Sequence, residues 1–199
     1  MSLVLAALGP RHAVLVSDGR EMSCFPFGLK FKQSDSETKI TVLKTGALLL
    51  ASTGLNRACH RIRTEAEQFT ASFKGDPRLL FQRLKEHLDT VVRTAHRSEQ
   101  ILGARTESDG STLLAGWCGL SSLIRGCVWG FQNDYQCIEL PKPTCLGIGQ
   151  PFDHEIFRQA LATERPVIKA LQSVIRRVSQ TNRCVGGKVF VHEIARPVN

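Results

Sequence analysis

The amino-acid sequence predicts one α+β domain over residues 1–199, built from two antiparallel sheets, each covered by a pair of helices. Three observations lead there. Short apolar stretches bounded by turn residues fill the beginning, the middle and the end of the chain. Two longer regions repeat their apolar residues at helical spacing. The resulting order is strands, two helices, strands, two helices, strand, which is not the strand-helix alternation of a parallel doubly wound sheet. With 199 residues, 42% of them hydrophobic, the chain fills one sizeable core without requiring a second.

The elements follow in order. Leu3 to Leu8 and Ala13 to Ser17 read as a hairpin turning at Gly9-Pro10-Arg11. Cys24 to Gln33 reads as irregular and aromatic, with Phe25, Phe27 and Phe31 in a core, an interface or a substrate groove, and Ser34-Asp35-Ser36-Glu37 as a polar loop. A second hairpin, Lys39 to Leu43 and Ala47 to Ser52, turns at Lys44-Thr45-Gly46. From Leu55 the period changes: Leu55, Cys59, Ile62, Ala66, Phe69 and Phe73 line one helix face. Lys74-Gly75 ends that helix, and Asp76-Pro77 caps and opens the next, whose face is Leu80, Leu84, Leu88, Val91, Val92 and Ala95. Past a polar loop from Gly103 to Gly110, strands are predicted at Ser111 to Cys118, Leu123 to Phe131, Tyr135 to Leu140 and, after Pro141-Lys142-Pro143, Cys145 to Ile148. Helices at Phe152 to Ala162 and Pro166 to Val178 and a strand at Lys188 to Ile194 complete the chain.

Composition narrows the function classes. No run of about 18 apolar residues and no basic, apolar, small-residue leader is present, so a cytoplasmic protein without a membrane partner is expected. The seven cysteines form no C-x-x-C pair, and His12, His60, His87, His96, His154 and His192 lack ligand spacing; no metal and no cofactor is expected. The formal charge of +8 invites a nucleic-acid reading. The basic residues do not concentrate with aromatic ones, however, and Arg57, His60, Arg61, Arg63, Arg176 and Arg177 read as solvated helix faces or subunit contacts; no nucleic-acid partner is expected.

The chemistry sits at the start. Ser2 is a small second residue, so removal of Met1 leaves a hydroxyl and a free α-amine on one residue. That amine, with an ordinary pKa of about 7.7–8.0, takes and returns protons near neutrality. An N-terminal nucleophile also needs a cation and an oxyanion-stabilising amide. Lys39, held by Asp18, is the candidate cation, and Thr53-Gly54, where a strand gives way to a helix, offers the candidate amide. Each feature also has an ordinary reading: Asp18 as a turn former, Lys39 as a solvated strand-end lysine.

Taken together, the spacing from Ser2 to Asp18, the Asp18-Gly19-Arg20 step, Lys39-Ile40-Thr41-Val42, Leu49 to Gly54, Gly110 to Trp117, Cys145 to Gly149 and Gly186-Gly187 resemble the proteasome β-subunit and HslV type of N-terminal nucleophile hydrolase. Within that group the short chain is most similar to the small proteasome homologue of beta-proteobacteria. The resemblance covers almost the whole chain. It implies a four-layer αββα sandwich and a peptidase acting on peptide or unfolded protein inside homo-oligomeric stacked rings, with Ser2, Asp18, Lys39 and Gly54 as catalytic residues and no cofactor. An ATPase unfoldase partner is not identified by any residue. Three departures stand out: Ser2 replaces the usual threonine, Ile148 stands where the family has a serine near the amine, and Asn182 and Val185 stand near the positions of a supporting aspartate and serine. Asn182 is therefore the candidate for the aspartate's place. The departures motivate a second reading, a ring-forming scaffold with weak or no catalysis; a nucleic-acid module, suggested only by net charge, ranks last.

Overall fold

A computed structural model describes residues 2–24, 30–43, 47–101, 110–117, 124–140, 144–149, 154–164 and 166–196. Eleven strands and four α-helices are assigned among the described residues. The strands are β1 (Leu3–Leu8), β2 (His12–Asp18), β3 (Glu21–Cys24), β4 (Lys30–Ser34), β5 (Ile40–Val42), β6 (Leu48–Thr53), β7 (Ser111–Trp117), β8 (Ile124–Gly130), β9 (Cys137–Leu140), β10 (Thr144–Gly149) and β11 (Val189–Ala195). The helices are α1 (Asn56–Ser72), α2 (Leu80–Ile101), α3 (His154–Thr163) and α4 (Val167–Thr181).

A four-stranded sheet runs β10-β1-β2-β11 and a five-stranded sheet β5-β6-β7-β8-β9, every pair antiparallel. Side-chain period explains why these strands read as unbroken apolar runs. On β1, Leu3, Leu5 and Ala7 join the core beneath α3 and α4, while Val4, Ala6 and Leu8 point into the core between the sheets. On β6, Leu48 and Leu50 face α1 and α2, while Leu49 and Ala51 face the other sheet. A strand buried on both faces has no solvent face on which polar residues can alternate. Three cores thus separate four layers, αββα, as the family resemblance implied.

The helices follow their periodic faces. Ala58, Ile62 and Ala66 of α1 and Leu84, Leu88 and Val92 of α2 pack on the five-stranded sheet; Leu171, Val174, Ile175 and Val178 of α4 pack on the four-stranded one. The Asp76 carboxylate accepts the Arg78 N–H at 2.9 Å, with Pro77 opening the 3-10 turn that leads into α2.

Two sequence expectations need correction. The segment read as irregular from Cys24 contains paired backbone: β3 and β4 form a two-stranded ribbon with a register shift at Glu21/Met22. Ribbons of alternating polar and apolar residues this short carry too little periodicity to be told from loop. Phe31 on that ribbon is 56% exposed rather than in the core, and Phe25 and Phe27 lie outside the described residues, as do the Lys44 to Gly46 turn and most of the Gly103 to Gly110 loop. Tyr135 does not open a strand. It sits at φ 56° in a tight turn that buries its ring against His96, centroids 4.6 Å apart, so burial overrides its strand propensity.

Candidate active site

Asp18 ends β2, the strand lying between β1 and β11, and is fully buried. A buried carboxylate needs its oxygens satisfied. One oxygen accepts the Leu3 N–H at 2.9 Å; the other accepts Arg20 N–H and Gly186 N–H, each at 3.2 Å. Lys39 enters the same cluster just before β5. Its ammonium donates to the Asp18 carbonyl at 2.7 Å, the Arg20 carbonyl at 2.9 Å and the Asp18 carboxylate at 3.3 Å. All three ammonium hydrogens therefore have acceptors. Burial pushes the Lys39 pKa down, and the Asp18 charge and hydrogen bond oppose that shift. The pair is a positioned buried cation, not the solvated strand-end lysine of the ordinary reading.

Ser2 precedes β1 and is 8% exposed. The Leu3 N–H bonded to Asp18 belongs to the peptide unit that follows Ser2, so the Asp18–Lys39 pair is tied directly to the start of β1. Gly149 at the end of β10 pairs with Leu3 and has φ +99°. A Cβ there would lie 2.0 Å from the Ser2 carbonyl oxygen and 3.1 Å from the Thr53 methyl, which places Ser2 beside the end of β6. Gly54 follows the last ladder pair, Thr53 with Ser111, at φ +120°. His96 of α2 and Gly110 pack behind it: a Cβ on Gly54 would meet the Gly110 Cα at 2.7 Å and the His96 ring at 3.3 Å. Ser2, Asp18, Lys39 and Gly54 thus come from four chain segments to one end of the two facing sheets.

The fifth sequence candidate has a different surrounding. Asn182 caps the C-terminus of α4, and its side-chain oxygen accepts the Cys184 N–H at 3.0 Å. It shapes the loop whose Gly186 N–H reaches Asp18. Ile148 is buried opposite Val4 in the core between the sheets, where a serine would offer a hydroxyl, and Val185 is buried with α4.

Three contributing residues escaped the sequence reading. Arg20 donates through its guanidinium to Asp35 at 2.8 Å and to the Arg183 and Val185 carbonyls at 3.0 and 3.4 Å. It thereby pins the 183–186 loop to Asp18. Asp35, read as part of a polar loop, also accepts from Lys32, and its carbonyl accepts the Lys188 N–H at 2.7 Å. The Arg20 hydrogen bond, then that of Lys32, holds the Asp35 carboxyl below its ordinary range. Arg63, grouped by sequence with a solvated helix face, is half-buried and donates to the Thr38 carbonyl at 3.0 Å. Its signal was visible only as an arginine one position after Ile62, on the flank of the buried face.

The ancestral β-subunit Anbu from Yersinia bercovieri superposes with a TM-score of 0.70 at 16% identity, covering 97% of this chain and 81% of that one. The chain has the proteasome β-subunit fold. HslV from Trypanosoma brucei gives 0.68 at 13% identity, with coverage of 98% and 99%. An Anbu chain from the helical Anbu assembly of Pseudomonas aeruginosa gives 0.69 at 14%, with coverage of 97% and 81%. No protein-family model matches the sequence, and no curated protein does. At identities this low the superpositions establish the proteasome-like fold alone. Among the described residues no helix is long and apolar enough to cross a membrane.

Proposed function

We propose that this proteasome-like chain is an N-terminal nucleophile peptidase that cleaves peptides or unfolded protein with Ser2 after removal of Met1. The observation that carries the proposal is the Asp18 carboxylate, which accepts the Lys39 ammonium and the Leu3 N–H together. That arrangement sets a fixed positive charge beside the residue that would bear the nucleophile. In the proposed reaction the Ser2 α-amine takes the hydroxyl proton as Oγ bonds to the substrate carbonyl carbon. The oxygen that becomes negative is met by the Gly54 amide. The new ammonium then gives its proton to the leaving amine as the C–N bond breaks, and water hydrolyses the ester by the same proton route in reverse. Lys39 stabilises the negative charge that develops near Ser2 and favours the neutral, basic form of the amine.

The fold neighbours support assembly into homo-oligomers, with stacked rings as the proposed form. The exposed arginines Arg57, Arg61, Arg176 and Arg177 on α1 and α4 are the proposed contacts. A second reading, a ring-forming scaffold with little turnover, is favoured by Ile148: where the family resemblance implies a serine, this chain has an aliphatic side chain buried opposite Val4 in the core between the sheets.

Intact mass spectrometry before and after an epoxyketone or β-lactone separates the two. Loss of Met1 and a single adduct on Ser2, abolished by Ser2→Ala, is the expected result. A retained Met1, or a processed and assembled chain whose Ser2 stays unmodified, overturns the peptidase and leaves the scaffold.

A further inference from the structure

Three unfavourable features meet directly behind Gly54. Among the described residues, the only non-glycine positions with left-handed backbone are Asp134 and Tyr135, at φ 54° and 56°. That conformation is strained for a residue bearing a Cβ. The buried Tyr135 ring stacks on His96, centroids 4.6 Å apart and planes 3° from parallel. His96 is itself fully buried, and neither ring nitrogen has a hydrogen-bond partner among the described residues. An aliphatic side chain would fill that place without stranding polar atoms. Backbone strain and an unpartnered buried ring in direct contact mark a functional support rather than a packing optimum.

We propose that the His96–Tyr135 ring stack positions Gly54, fixing the Thr53–Gly54 peptide so that its N–H meets the oxygen of the carbonyl under attack. The inference rests on the reading of Ser2 as nucleophile and adds two positioning residues to that reaction. Gly54 has φ +120°, and a Cβ on it would stand 3.3 Å from His96 Cε1. A Cβ on Gly110 would come within 2.2 Å of Cε1, 2.6 Å of Nδ1 and 2.9 Å of Nε2. The Nδ1–Cε1–Nε2 edge of the imidazole therefore abuts two glycine backbones, with Cε1 foremost. A flat ring edge fits there, where a branched side chain would push the two segments apart.

The stack is held from both ends. Arg97, the next residue of α2, donates to the two Asp134 carboxylate oxygens at 2.8 and 2.7 Å, and the Tyr135 N–H donates to the Gly130 carbonyl at 2.8 Å. Residues 96 and 97 of the helix thus grip residues 135 and 134 of the turn. On the opposite side, the ladder between β6 and β7 runs up to Thr53 and Ser111, the neighbours of Gly54 and Gly110. Ladder on one side and rings on the other leave the Gly54 peptide little freedom, which is what a preorganised oxyanion donor requires.

The test is saturation kinetics of Ser2 labelling by a peptide epoxyketone, followed by intact mass, which separates the rate at saturating probe from the half-saturating concentration. In His96→Leu, which removes the flat ring, the saturated rate is expected to fall on the order of tenfold with the half-saturating concentration unchanged, because a misplaced amide weakens the alkoxide-forming step and not binding. His96→Phe, which restores a ring against Tyr135, is expected to recover most of that rate. Urea unfolding establishes that each variant is folded; where His96→Leu is not, Tyr135→Leu removes the stack from the turn side and carries the same expectation. An unchanged saturated rate in the folded leucine variant, a loss confined to the half-saturating concentration, or an equal loss in His96→Phe overturns the positioning role while the nucleophile stands. Failure of the probe to label wild-type Ser2 removes the peptidase reading itself and this inference with it.

Discussion

His96 provides a quantitative test of how the site is supported from behind. Its ring is 1% exposed, stacked on Tyr135, and neither nitrogen has a hydrogen-bond partner among the described residues. Burial pushes its pKa from 6.5 to about 4. The folded pKa lies below the unfolded one, so as pH falls the unfolded chain takes up the proton first. Stability is fully present above the unfolded pKa and is lost as pH falls from there toward the folded pKa. With those two values, linkage gives a loss of about 1.4 kcal/mol between about pH 7.5 and about pH 5.5 from this group alone. His192 shifts in the same direction, so the decisive quantity is a difference between proteins. Urea unfolding of wild type and His96→Phe, which keeps a ring against Tyr135, Gly54 and Gly110, is compared across that window. Wild type should lose about 1.4 kcal/mol more than the variant. Parallel pH profiles would refute the assignment of a buried, neutral, unpartnered histidine behind Gly54.

Three further outcomes test the site. Lys39→Met leaves the buried Asp18 carboxylate without its cation; unfolding free energy should fall by about 3 kcal/mol, and electrophile labelling of Ser2 should be lost. Gly149→Ala forces a side chain onto the Ser2 carbonyl at positive φ, and a stability loss of about 2 kcal/mol or more is expected in denaturant titration, with slower Ser2 labelling in whatever remains folded. Asp35→Asn removes the charge that holds Arg20. Because that pair is only partly buried, the thermal midpoint should move little, whereas Ser2 labelling should slow as the 183–186 loop loosens around Asp18.

Much of the architecture was legible from residue order. Continuous apolar runs at Leu3 to Leu8 and Leu48 to Ala51 mark strands buried on both faces, and the helical spacing of Leu80, Leu84 and Leu88 marks a helix laid on a sheet. The grouping of Ser2, Asp18, Lys39 and Gly54 was legible as a resemblance in spacing. What the residues do to one another was not. The same holds for the β3–β4 ribbon, whose pairing depends on partners rather than on a strong local period.

The sequence by itself determined the alternation of strand and helix blocks and the residue types at the chain's start, because side-chain period and turn chemistry are local. Tertiary structure alone decided that Lys39 is buried on Asp18 instead of solvated, that Arg20 and Asp35 hold the 183–186 loop, and that Arg63 leaves its helix face to reach the Thr38 carbonyl. Those outcomes join residues as far apart as Asp18 and Gly186, 168 positions along the chain. The pairing of β11 with β2 brings Gly186 to Asp18, the face-to-face packing of the two sheets sets Lys39 on that pair, and burial there turns ordinary charges into fixed ones.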